Sequence, residues 1–373
     1  MAPAHHPPRR HRKRLCRVLA RPAGEWRRHA AMIRRTTSRD VAAAAGVSQP
    51  TVSRALRGDP SVSAETRARV AEAAQQLDYR LDRRGSKLRF GRTGVLAVVV
   101  LGMPDQPRAA ANPFYLVLLG AIAAAAAERG YDTLVSFQSS PDTFRAGFSQ
   151  GGDADGIIVV GSARNDAAWT FYAGAAAAGE HVVCWGAPDD ALPTVRCDNR
   201  SGAAMAVRHL IDGGRTRIAF LGGGWERQTA YADRRQGYID ALQGSEIDLV
   251  EAPHRPASSR EEEGCAATLA LLAANPRIDA IFAASDLLAI GAIRAARLSD
   301  KAIPADIALV GFDGILSASH VSPPLTTVEQ DSAAAGAALV ATLISLIEDE
   351  APPSPTVPMR LVIRDSSTPL ALS

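Results

Sequence analysis

Apolar residues follow two different patterns along this chain of 373 residues. Near the amino end they recur every three or four positions in short stretches, as small amphipathic helices require. After residue 93 they form continuous runs, beginning with Val95–Leu101, that are separated by longer helical stretches. Such runs, when rich in β-branched side chains, are typical of buried strands. The sequence therefore predicts a small helical unit followed by a larger body of alternating strands and helices.

Two short helices joined by a glycine turn open the helical unit. They are predicted over Ser38–Ala45 and Gln49–Leu56, and Gly46 between them supplies the positive φ of a sharp turn. Side chains able to cap their amino ends are Thr37 or Ser38 for the first helix and Ser48 for the second. A third helix is predicted from Ser63 to about Asp78. This order is that of a helix-turn-helix, whose second helix lies in the major groove of DNA.

The second helix leaves polar side chains for DNA, because Val52 and Leu56 are predicted to face inward. Glutamine and arginine are the residue types that read adenine and guanine edges through paired hydrogen bonds. The predicted DNA-contacting residues of this motif are Thr37, Ser48, Gln49, Pro50, Thr51, Ser53, Arg54 and Arg57. The alternative interpretation is a surface helical hairpin that binds nothing.

Predicted strands and helices alternate through the body. The strands are expected at Val95–Leu101, Tyr131–Phe137, Gly156–Val160, His181–Trp185, Arg217–Leu221, Ala280–Ala283 and Ala308–Phe312. Helices are expected between successive strands, including one between residues 137 and 156. Strands separated in this way form parallel sheets with right-handed crossovers, and ligands bind beyond the carboxyl ends of such strands.

Residues near those strand ends are the candidate ligand contacts. They are Phe114, Tyr115, Trp185, Arg227, Arg234 and Asp286. An arginine donates and an aspartate accepts hydrogen bonds from neighbouring hydroxyl groups, whereas an aromatic face packs against the C–H surface of a sugar or a base. Core packing, or capping of a loop or helix, is the alternative role for each. Asp313 follows another strand, and a structural role is the alternative there.

Charge is divided unevenly between the two parts. Residues 1–93 hold 22 Lys and Arg against 7 Asp and Glu, whereas the remainder holds 20 against 32. A basic piece attached to an acidic body is typical of a nucleic-acid-binding module joined to another function. Residues 1–35, rich in Arg, Pro and His, are predicted to be a disordered basic extension. Its first part, residues 1–31, either adds non-specific DNA affinity or is not made, with translation beginning at Met32.

Several classes of chemistry find no support in the sequence. The cysteines, Cys16, Cys184, Cys197 and Cys265, are scattered without metal-ligand spacing, which is typical of reduced thiols in the cytoplasm. The histidines likewise lack metal spacing or a neighbouring nucleophile motif. No apolar run reaches the roughly 18 residues of a membrane span. We therefore expect a cytoplasmic protein without catalytic residues, metal ligands or a cofactor.

Short motifs from Thr36 to the carboxyl end form a recognisable set. Those in the helical unit are Asp40-Val-Ala, Ala45-Gly-Val-Ser48, Thr51-Val-Ser-Arg54, Val62-Ser, Thr66-Arg and Leu77-Asp-Tyr79. Those in the body are Asp155-Gly-Ile-Ile, Val195-Arg-Cys-Asp198-Asn, Arg234-Arg-Gln-Gly237-Tyr, Ser285-Asp286, Val310-Gly-Phe-Asp313 and Pro324-Leu-Thr-Thr-Val328. Together these motifs resemble the lactose-repressor and galactose-repressor family of bacterial transcription regulators.

The resemblance implies an α/β fold class with an N-terminal all-α helix-turn-helix DNA-binding domain over residues 36–80, a hinge over 81–92 and a body over 93–373. That body resembles a periplasmic binding protein, with two doubly wound parallel-sheet lobes that bind an effector and mediate dimerisation. In the hinge, Leu88 matches a leucine that wedges into the minor groove. In the body, the positions that match Arg234 and Asp286 contact the effector.

The implied function is sequence-specific binding to double-stranded DNA, as a homodimer on a pseudo-palindromic operator. The regulator is expected to be a repressor under allosteric control by a small molecule, and the expected effector is a sugar. A purine or nucleoside acting as corepressor is the alternative effector. Outside this class, a solute-binding receptor shares the body, and an enzyme built on the same body is the other alternative.

Overall fold

The structure is a computed structural model, and it describes residues 36–56, 58–79, 92–102, 112–161, 165–187, 191–222, 229–255, 257, 259–353 and 356–368. The predicted extension over 1–35 lies outside the described residues, as do Arg57, Arg227, and the predicted hinge up to residue 91 with its Leu88. The chain divides into two compact units, Met1–Ser86 and Lys87–Ser373.

Three short helices make up the described part of the first unit: α1 (Ser38–Ala45), α2 (Gln49–Leu56) and α3 (Ala64–Gln76). Thr37 caps α1 in a capping box with Asp40, and Gly46 takes a φ of 65° where α1 ends. Each helix contributes one completely buried side chain to a small core: Val41, Val52 and Val70. The predicted helix-turn-helix is confirmed.

The second unit alternates strands and helices along its described residues. The strands are β1 (Val95–Leu101), β2 (Asp132–Gln138), β3 (Gly156–Gly161), β4 (Val182–Trp185), β5 (Thr194–Cys197), β6 (Ile218–Leu221), β7 (Val250–Glu251), β8 (Ala280–Ala283), β9 (Ala308–Asp313), β10 (Thr326–Gln330), β11 (Thr356–Val357) and β12 (Met359–Val362). The helices are α4 (Pro113–Glu128), α5 (Asp166–Ala177), α6 (Asn199–Asp212), α7 (Thr229–Leu242), α8 (Arg260–Ala274), α9 (Asp286–Leu298) and α10 (Ser332–Ile347).

Two six-stranded sheets divide this unit into two lobes. The amino lobe has the strand order β11-β5-β4-β3-β1-β2, and α4, α5 and α10 pack on it. The carboxyl lobe has the order β12-β10-β9-β8-β6-β7 and carries α6 to α9. Neighbouring strands are parallel, apart from the antiparallel pair of β10 and β12. The predicted α/β class, with a helical domain and two parallel-sheet lobes, is confirmed.

Both faces of the amino-lobe sheet are buried, which explains the continuous apolar run of β1. Val98 packs into the cluster that contains Leu118 and Ile122 of α4. Its neighbour Val99 points to the opposite face, where it packs with Tyr172 of α5. Parallel strands covered by helices on both sides are expected to be apolar at every position rather than at alternate positions.

The chain passes between the lobes three times, at points that we call the crossings: Asp198 from β5 to α6, Asp331 from β10 to α10, and Pro358 from β11 to β12. The backbone N–H of Asp331 donates to the carbonyl oxygen of Pro358 at 3.2 Å. The side chains of Asp198 and Asp331 also cap the helices that follow them. Each crossing is short. Along the described residues, the chain joins the two lobes only at these three crossings, which lie beside one another at strand ends.

The structure differs from the predicted elements in two places. The helix predicted between residues 137 and 156 was wrong, because this segment forms only a 3-10 turn at Pro141–Thr143 and then takes positive φ at Gly147 and Gly152. The other difference is that β5, β7, β10, β11, β12 and α10 lie outside the predicted series. These strands have two to five residues, too few for a periodic pattern to stand out.

Helices α8 and α9 approach each other closely at two glycines. A Cβ atom added to Gly264 would collide with the carbonyl oxygen of Leu288. One added to Gly291 would collide with the carbonyl oxygen of Glu261 and lie 2.7 Å from the backbone nitrogen of Cys265. Backbone atoms cannot rotate away as a side chain can, so the spacing of these helices depends on both glycines.

We expect Gly291→Ala to lower the free energy of unfolding by about 1–3 kcal/mol, the usual range for overpacking a well-packed contact. Gly174→Ala on α5 is the matched control, because a Cβ atom added there has no neighbour within 4 Å. Helix propensity alone should make the control neutral or up to about 1 kcal/mol more stable. Urea unfolding followed by circular dichroism compares the two variants, and equal stability would contradict the close approach.

Candidate functional site

A solvent-open pocket, which we call the cleft, lies between the two lobes. Its empty space is about 600 Å³, including open solvent at the mouth. The amino lobe contributes Asn112, Phe114, Tyr115, Gly161, Trp185 and Gly186, the carboxyl lobe contributes Ala230, Tyr231, Arg234, Arg260 and Asp313, and Arg196, Cys197, Asn199 and Gln330 lie close to the crossings in the chain.

The cleft is formed by the carboxyl ends of strands and the amino ends of helices. Gly161, Trp185, Cys197, Asp313 and Gln330 are the last residues of β3, β4, β5, β9 and β10. Asn112 caps α4, and Asn199 and Arg260 are the first residues of α6 and α8. In a doubly wound sheet this edge collects the loops, and its helix amino ends present N–H groups to a ligand.

Asp313 lies at the centre of a hydrogen-bond network in the cleft. Its Oδ1 accepts from Nη1 of Arg234 at 3.1 Å and from Nε2 of Gln330 at 2.9 Å. Its Oδ2 accepts from Nδ2 of Asn112 at 3.2 Å, across the cleft from the amino lobe. Both side chains of the Arg234–Asp313 pair are only 5% exposed. The carboxylate thus connects both lobes and β10, which leads into a crossing.

Arg234 is held on several sides. Its Nε donates to Oδ1 of Asn199 at 2.9 Å, and its Nη1 also donates to the carbonyl oxygen of Ala284 at 2.6 Å. Its guanidinium carbon lies 3.7 Å from the centroid of the Phe312 ring. A guanidinium fixed by hydrogen bonds and a ring presents its N–H groups in one geometry, which favours recognition of a matching ligand.

The backbone at Asp313 is strained. Its φ is 115°, a region that residues other than glycine rarely adopt, and Gly314 follows with a φ of 75°. Such conformations cost of order 1–3 kcal/mol and are retained where the surroundings impose them. The hydrogen bonds to Arg234, Gln330 and Asn112 supply that constraint, and they aim the carboxylate into the cleft.

Aromatic rings line the amino-lobe wall of the cleft. The rings of Phe114 and Trp185 lie 5.8 Å apart, and Tyr115 packs edge-on against Phe114 at the same distance. Phe114 and Trp185 are 4% and 7% exposed, so both pack into the core of the amino lobe while they line the cleft. Cys197 is also buried here, and burial raises the pKa of its thiol to about 12. It is therefore a neutral, apolar part of the lining.

Asp286 lies behind the cleft and does not line it. The residue is fully buried, its Oδ2 accepts from the backbone N–H of Ile315 at 2.8 Å, and its Oδ1 accepts from Oγ1 of Thr327 at 2.6 Å. Burial, reinforced by the negative charge of nearby Asp313, raises the pKa of Asp286 to about 8. Asp286 thus supports the turn after β9, whereas Asp313, for which a structural role was the alternative, faces the cleft.

The structure brings together four of the six predicted effector residues, Phe114, Tyr115, Trp185 and Arg234, as lining of one cleft. Their contact with an effector stays a prediction. Arg227 lies outside the described residues, and Asp286 is behind the lining. Sequence reasoning missed Asn112, Arg196, Asn199, Tyr231, Arg260 and Gln330. Asn112 and Asn199 each begin a helix after a strand, which is a usable signal, but nothing local marks Gln330.

The helix-turn-helix presents most of its predicted DNA-contacting residues to solvent. Thr37, Ser48, Gln49, Pro50 and Arg54 are exposed, and Thr51 and Ser53 are half-buried. The Gln49 side chain donates to Oγ of Ser38 at 2.7 Å, and the hydroxyls of Ser48 and Thr51 lie 2.8 Å apart. The first contact holds the start of α2 against α1, and the second lies within the start of α2. Contact of these residues with DNA stays a prediction.

Two other kinds of site are not found in the described part of the chain. No group of three His, Cys, Asp or Glu residues there could hold a metal ion. Among the described helices, none is both long enough and apolar enough to cross a membrane.

Two family profiles match this sequence. The profile of bacterial regulatory proteins, lacI family, matches residues 37–82, and that of a periplasmic binding protein-like domain matches residues 207–367. The HTH-type transcriptional regulator CelR of Thermobifida fusca is 33% identical over 336 residues, covering 88% of this chain and 96% of CelR. The ribose operon repressor of Halalkalibacterium halodurans is 31% identical over 339 residues, covering 89% of this chain and 97% of the repressor.

Solved structures share the same architecture. The CelR–cellobiose complex is 30% identical and has a TM-score of 0.64, covering 89% of this chain and 100% of that chain. The Lac repressor dimer bound to operator and the anti-inducer ONPF is 25% identical and has a TM-score of 0.69, covering 89% of this chain and 99% of that chain.

Asp286 makes the stability of the second unit depend on pH. Its pKa of about 8 in the folded chain lies above the value near 3.9 that an unfolded aspartate has. The folded protein therefore binds this proton more tightly, so the stabilisation is complete below about pH 4 and is lost as the pH rises through about 8. Asp286→Asn retains the shape of the neutral acid, and its amide can donate to Thr327 while its oxygen accepts from Ile315.

We expect the unfolding free energy of Asp286→Asn to fall less than that of the wild type between about pH 5 and pH 8. Urea unfolding at both pH values measures the difference. An unchanged pH dependence in the variant would show that Asp286 does not carry a proton in the folded chain.

Proposed function

This chain belongs to the lacI family of bacterial regulatory proteins, and we propose that it is a repressor that a sugar releases from its operator. It is a DNA-binding transcriptional regulator, with a helix-turn-helix domain and a periplasmic-binding-protein-like body. The observation that carries the proposal is the fixed Arg234–Asp313 pair in a cleft of the same chain. The relatives are regulators rather than enzymes, and the proposed function includes no catalytic step.

The chemistry of the cleft favours a polyhydroxylated ligand. A carboxylate accepts hydrogen bonds from hydroxyl groups and a guanidinium donates to them, so Asp313 and Arg234 together suit neighbouring hydroxyls of a sugar. The amides of Asn112, Asn199 and Gln330 add donors and acceptors around that pair. Trp185 and Phe114 supply an apolar wall for the C–H face of the ring. CelR was solved with cellobiose, which supports a sugar ligand here.

The crossings provide the mechanical link between ligand and DNA affinity. Gln330 donates to Asp313 in the cleft and is followed by the crossing at Asp331 and by α10. A ligand that engages both lobes favours one lobe arrangement over another, and it shifts the equilibrium by its difference in affinity for the two. Because the lobes are joined by these short segments, closing the cleft reorients α10 together with the amino lobe.

The far end of α10 is tied to the start of the body. Arg92 donates to Oε1 of Glu348 at 3.2 Å and to the carbonyl oxygen of Ile347 at 3.3 Å. The backbone N–H groups of Thr93 and Gly94 donate to the carboxylate of Asp155. We propose that this anchor transmits the position of the amino lobe to the chain segment that leads to the helix-turn-helix.

Two single substitutions separate operator binding from sugar binding. Arg54→Ala removes an exposed guanidinium from α2, so we expect at least about a tenfold loss of operator affinity, as for one bidentate base contact. Sugar binding should be unchanged. Asp313→Asn removes the charged acceptor in the cleft, so we expect it to bind operator normally but to lose release by sugar. Fluorescence anisotropy on a DNA site selected from a random library measures both properties.

The control for Arg54→Ala is Arg69→Ala, which removes a guanidinium from α3 that is paired only with Glu65 at 3.6 Å in the described contacts. Operator affinity should change little in that variant. Thermal unfolding of Asp313→Asn checks that the body remains folded without its buried charge. If Arg54→Ala and Asp313→Asn lost the same property, the proposed division between DNA binding by the helix-turn-helix and sugar binding by the cleft would be wrong.

An exposed apolar surface on the amino lobe is the proposed dimer interface. It consists of four residues that are 41% to 52% exposed: Leu116 and Val117 on α4, and Val135 and Phe137 on the edge strand β2. In the pairing of β1 with β2, Val135 lies beside Val98 and Phe137 beside Val100, so their side chains share the sheet face that α4 covers. Contiguous exposed apolar residues typically mark an interface.

We expect Val117→Arg to dissociate the dimer, because burying a guanidinium against a second apolar surface is unfavourable. Leu249→Arg is the matched control, since Leu249 is 51% exposed on the carboxyl lobe, outside the proposed interface. Light scattering coupled to gel filtration gives the mass of each variant. A dimer that persists with Val117→Arg, or that is lost equally with Leu249→Arg, would refute this interface.

A further inference from the structure

One side-chain hydrogen bond joins the first residues of α1 and α2. Nε2 of Gln49, the first residue of α2, donates to Oγ of Ser38, the first residue of α1, at 2.7 Å. The two residues are 11 positions apart in the chain, so the bond joins separate helices. Ser38 is half-buried, whereas Gln49 is exposed. The exposed amide of α2 is therefore held by the helix against which α2 packs.

The amino end of α1 is capped by Thr37, which leaves the Ser38 hydroxyl for another role. The backbone N–H and the hydroxyl of Thr37 both donate to Oδ2 of Asp40, at 2.8 and 2.7 Å. Thr37 and Asp40 thus complete the capping box of α1 without Ser38. Among the described contacts, the Ser38 side chain bonds to Gln49 alone. The serine at this position therefore serves the amide of α2 rather than the end of its own helix.

The backbone beside Gln49 is restrained as well. Pro50 follows it, and a proline fixes its own φ and restricts the backbone of the residue before it. On either side of this pair, the hydroxyls of Ser48 and Thr51 lie 2.8 Å apart. The backbone N–H of Thr51 also donates to Oγ of Ser48 at 3.4 Å. Restraints on the backbone and on the amide group together reduce the ordering entropy that Gln49 loses when it binds a base.

The bond to Ser38 also determines which hydrogen-bonding groups Gln49 presents. A primary amide has two N–H donors and one acceptor oxygen. Ser38 uses one N–H of Gln49, so one N–H and the oxygen remain for a base. In the major groove adenine presents an acceptor at N7 beside a donor at N6, which complements that remaining pair. Guanine presents two acceptors, N7 and O6, and a single remaining N–H satisfies only one of them.

We infer that Ser38 is a positioning residue that orients the amide of Gln49 to read an adenine of the operator. The inference rests on the operator binding that is part of the proposed function. Ser38 acts through Gln49, so it contributes to base preference without itself contacting the base. Without the Ser38 hydroxyl, the amide can turn its N–H groups toward guanine or its oxygen toward cytosine. Loss of this hydroxyl therefore weakens the discrimination between bases.

Base preferences of the full chain, measured position by position, test the inference. A binding site is first selected from a random DNA library. Fluorescence anisotropy then gives the affinity for every single base-pair change in one half-site. The position at which Gln49→Ala abolishes the preference is the one that Gln49 reads. We expect an A·T pair there, favoured over G·C by about tenfold or more, as for one bidentate base contact.

Ser38→Ala should reduce the preference at this position about three- to tenfold, because the amide is no longer held, and leave the other positions unchanged. In the Gln49→Ala background the same substitution should have no further effect there, since Ser38 acts through Gln49. Ser38→Thr retains a hydroxyl and should retain the preference. Ser38→Cys keeps the size of the side chain but supplies only a weakly accepting sulfur, so it gives a second measurement if Ser38→Ala does not fold.

Ser61→Ala is the matched control for the loss of a serine hydroxyl from this domain. Ser61 is exposed in the turn between α2 and α3. Its described hydrogen bond is donated by its backbone N–H to Oδ1 of Asp59 at 2.9 Å, and alanine retains that donor. Base preference should be unchanged in this variant. Circular dichroism of each variant shows whether the helices remain folded.

The outcomes separate this inference from the proposed function. A full adenine preference in folded Ser38→Ala and Ser38→Cys, or an effect of Ser38→Ala that persists without Gln49, overturns the inference and leaves operator binding intact. A preference for another base pair at the position that Gln49 reads also overturns it. A selected operator that no sugar releases refutes the proposed effector but not this inference. If no DNA site is selected over random competitor, operator binding and the inference fail together.

Discussion

The buried pair of Arg234 and Asp313 is the interaction on which the rest of the cleft depends. Removing two charges from water is costly, and the attraction repays that cost only where further hydrogen bonds satisfy both groups. Here Gln330 and Asn112 donate hydrogen bonds to the carboxylate. Asn199 and the carbonyl oxygen of Ala284 accept hydrogen bonds from the guanidinium. Because these partners come from both lobes and from beside two crossings, the pair connects the cleft to the segments that join the lobes.

That arrangement explains how a local event in the cleft can have a distant effect. Each lobe is built on its own six-stranded sheet, and the described chain joins the lobes at Asp198, Asp331 and Pro358. Helix α10, sixteen residues and thus about 24 Å long, begins at one of these points and ends where Arg92 is anchored. In the proposed mechanism, this helix couples the orientation of the amino lobe to the chain segment that precedes Arg92 and leads to the helix-turn-helix.

Fold and specificity are set by different residues in this protein. The two-lobed body needs buried apolar strands and close helix contacts such as that of Gly264 with Gly291, and many ligands are compatible with it. Ligand choice depends on a few side chains at strand and helix ends. The same architecture occurs in a complex with cellobiose, and the cleft of this chain is lined by the Arg234–Asp313 pair together with aromatic and amide side chains.

The sequence alone determined the helix-turn-helix, most body strands and four of the cleft residues, because caps, Gly46 and apolar runs act over a few neighbouring positions. Strands β1 and β8 begin and end at the predicted residues. Only the tertiary structure decided between Asp286 and Asp313, since both follow strands and both are buried, but only Asp313 lines the cleft. It also decided the positions of Gln330, Arg196 and the final strands. Those depend on contacts between separate segments of the chain, such as Gln330 with Asp313 and β11 with β5, which no local pattern encodes.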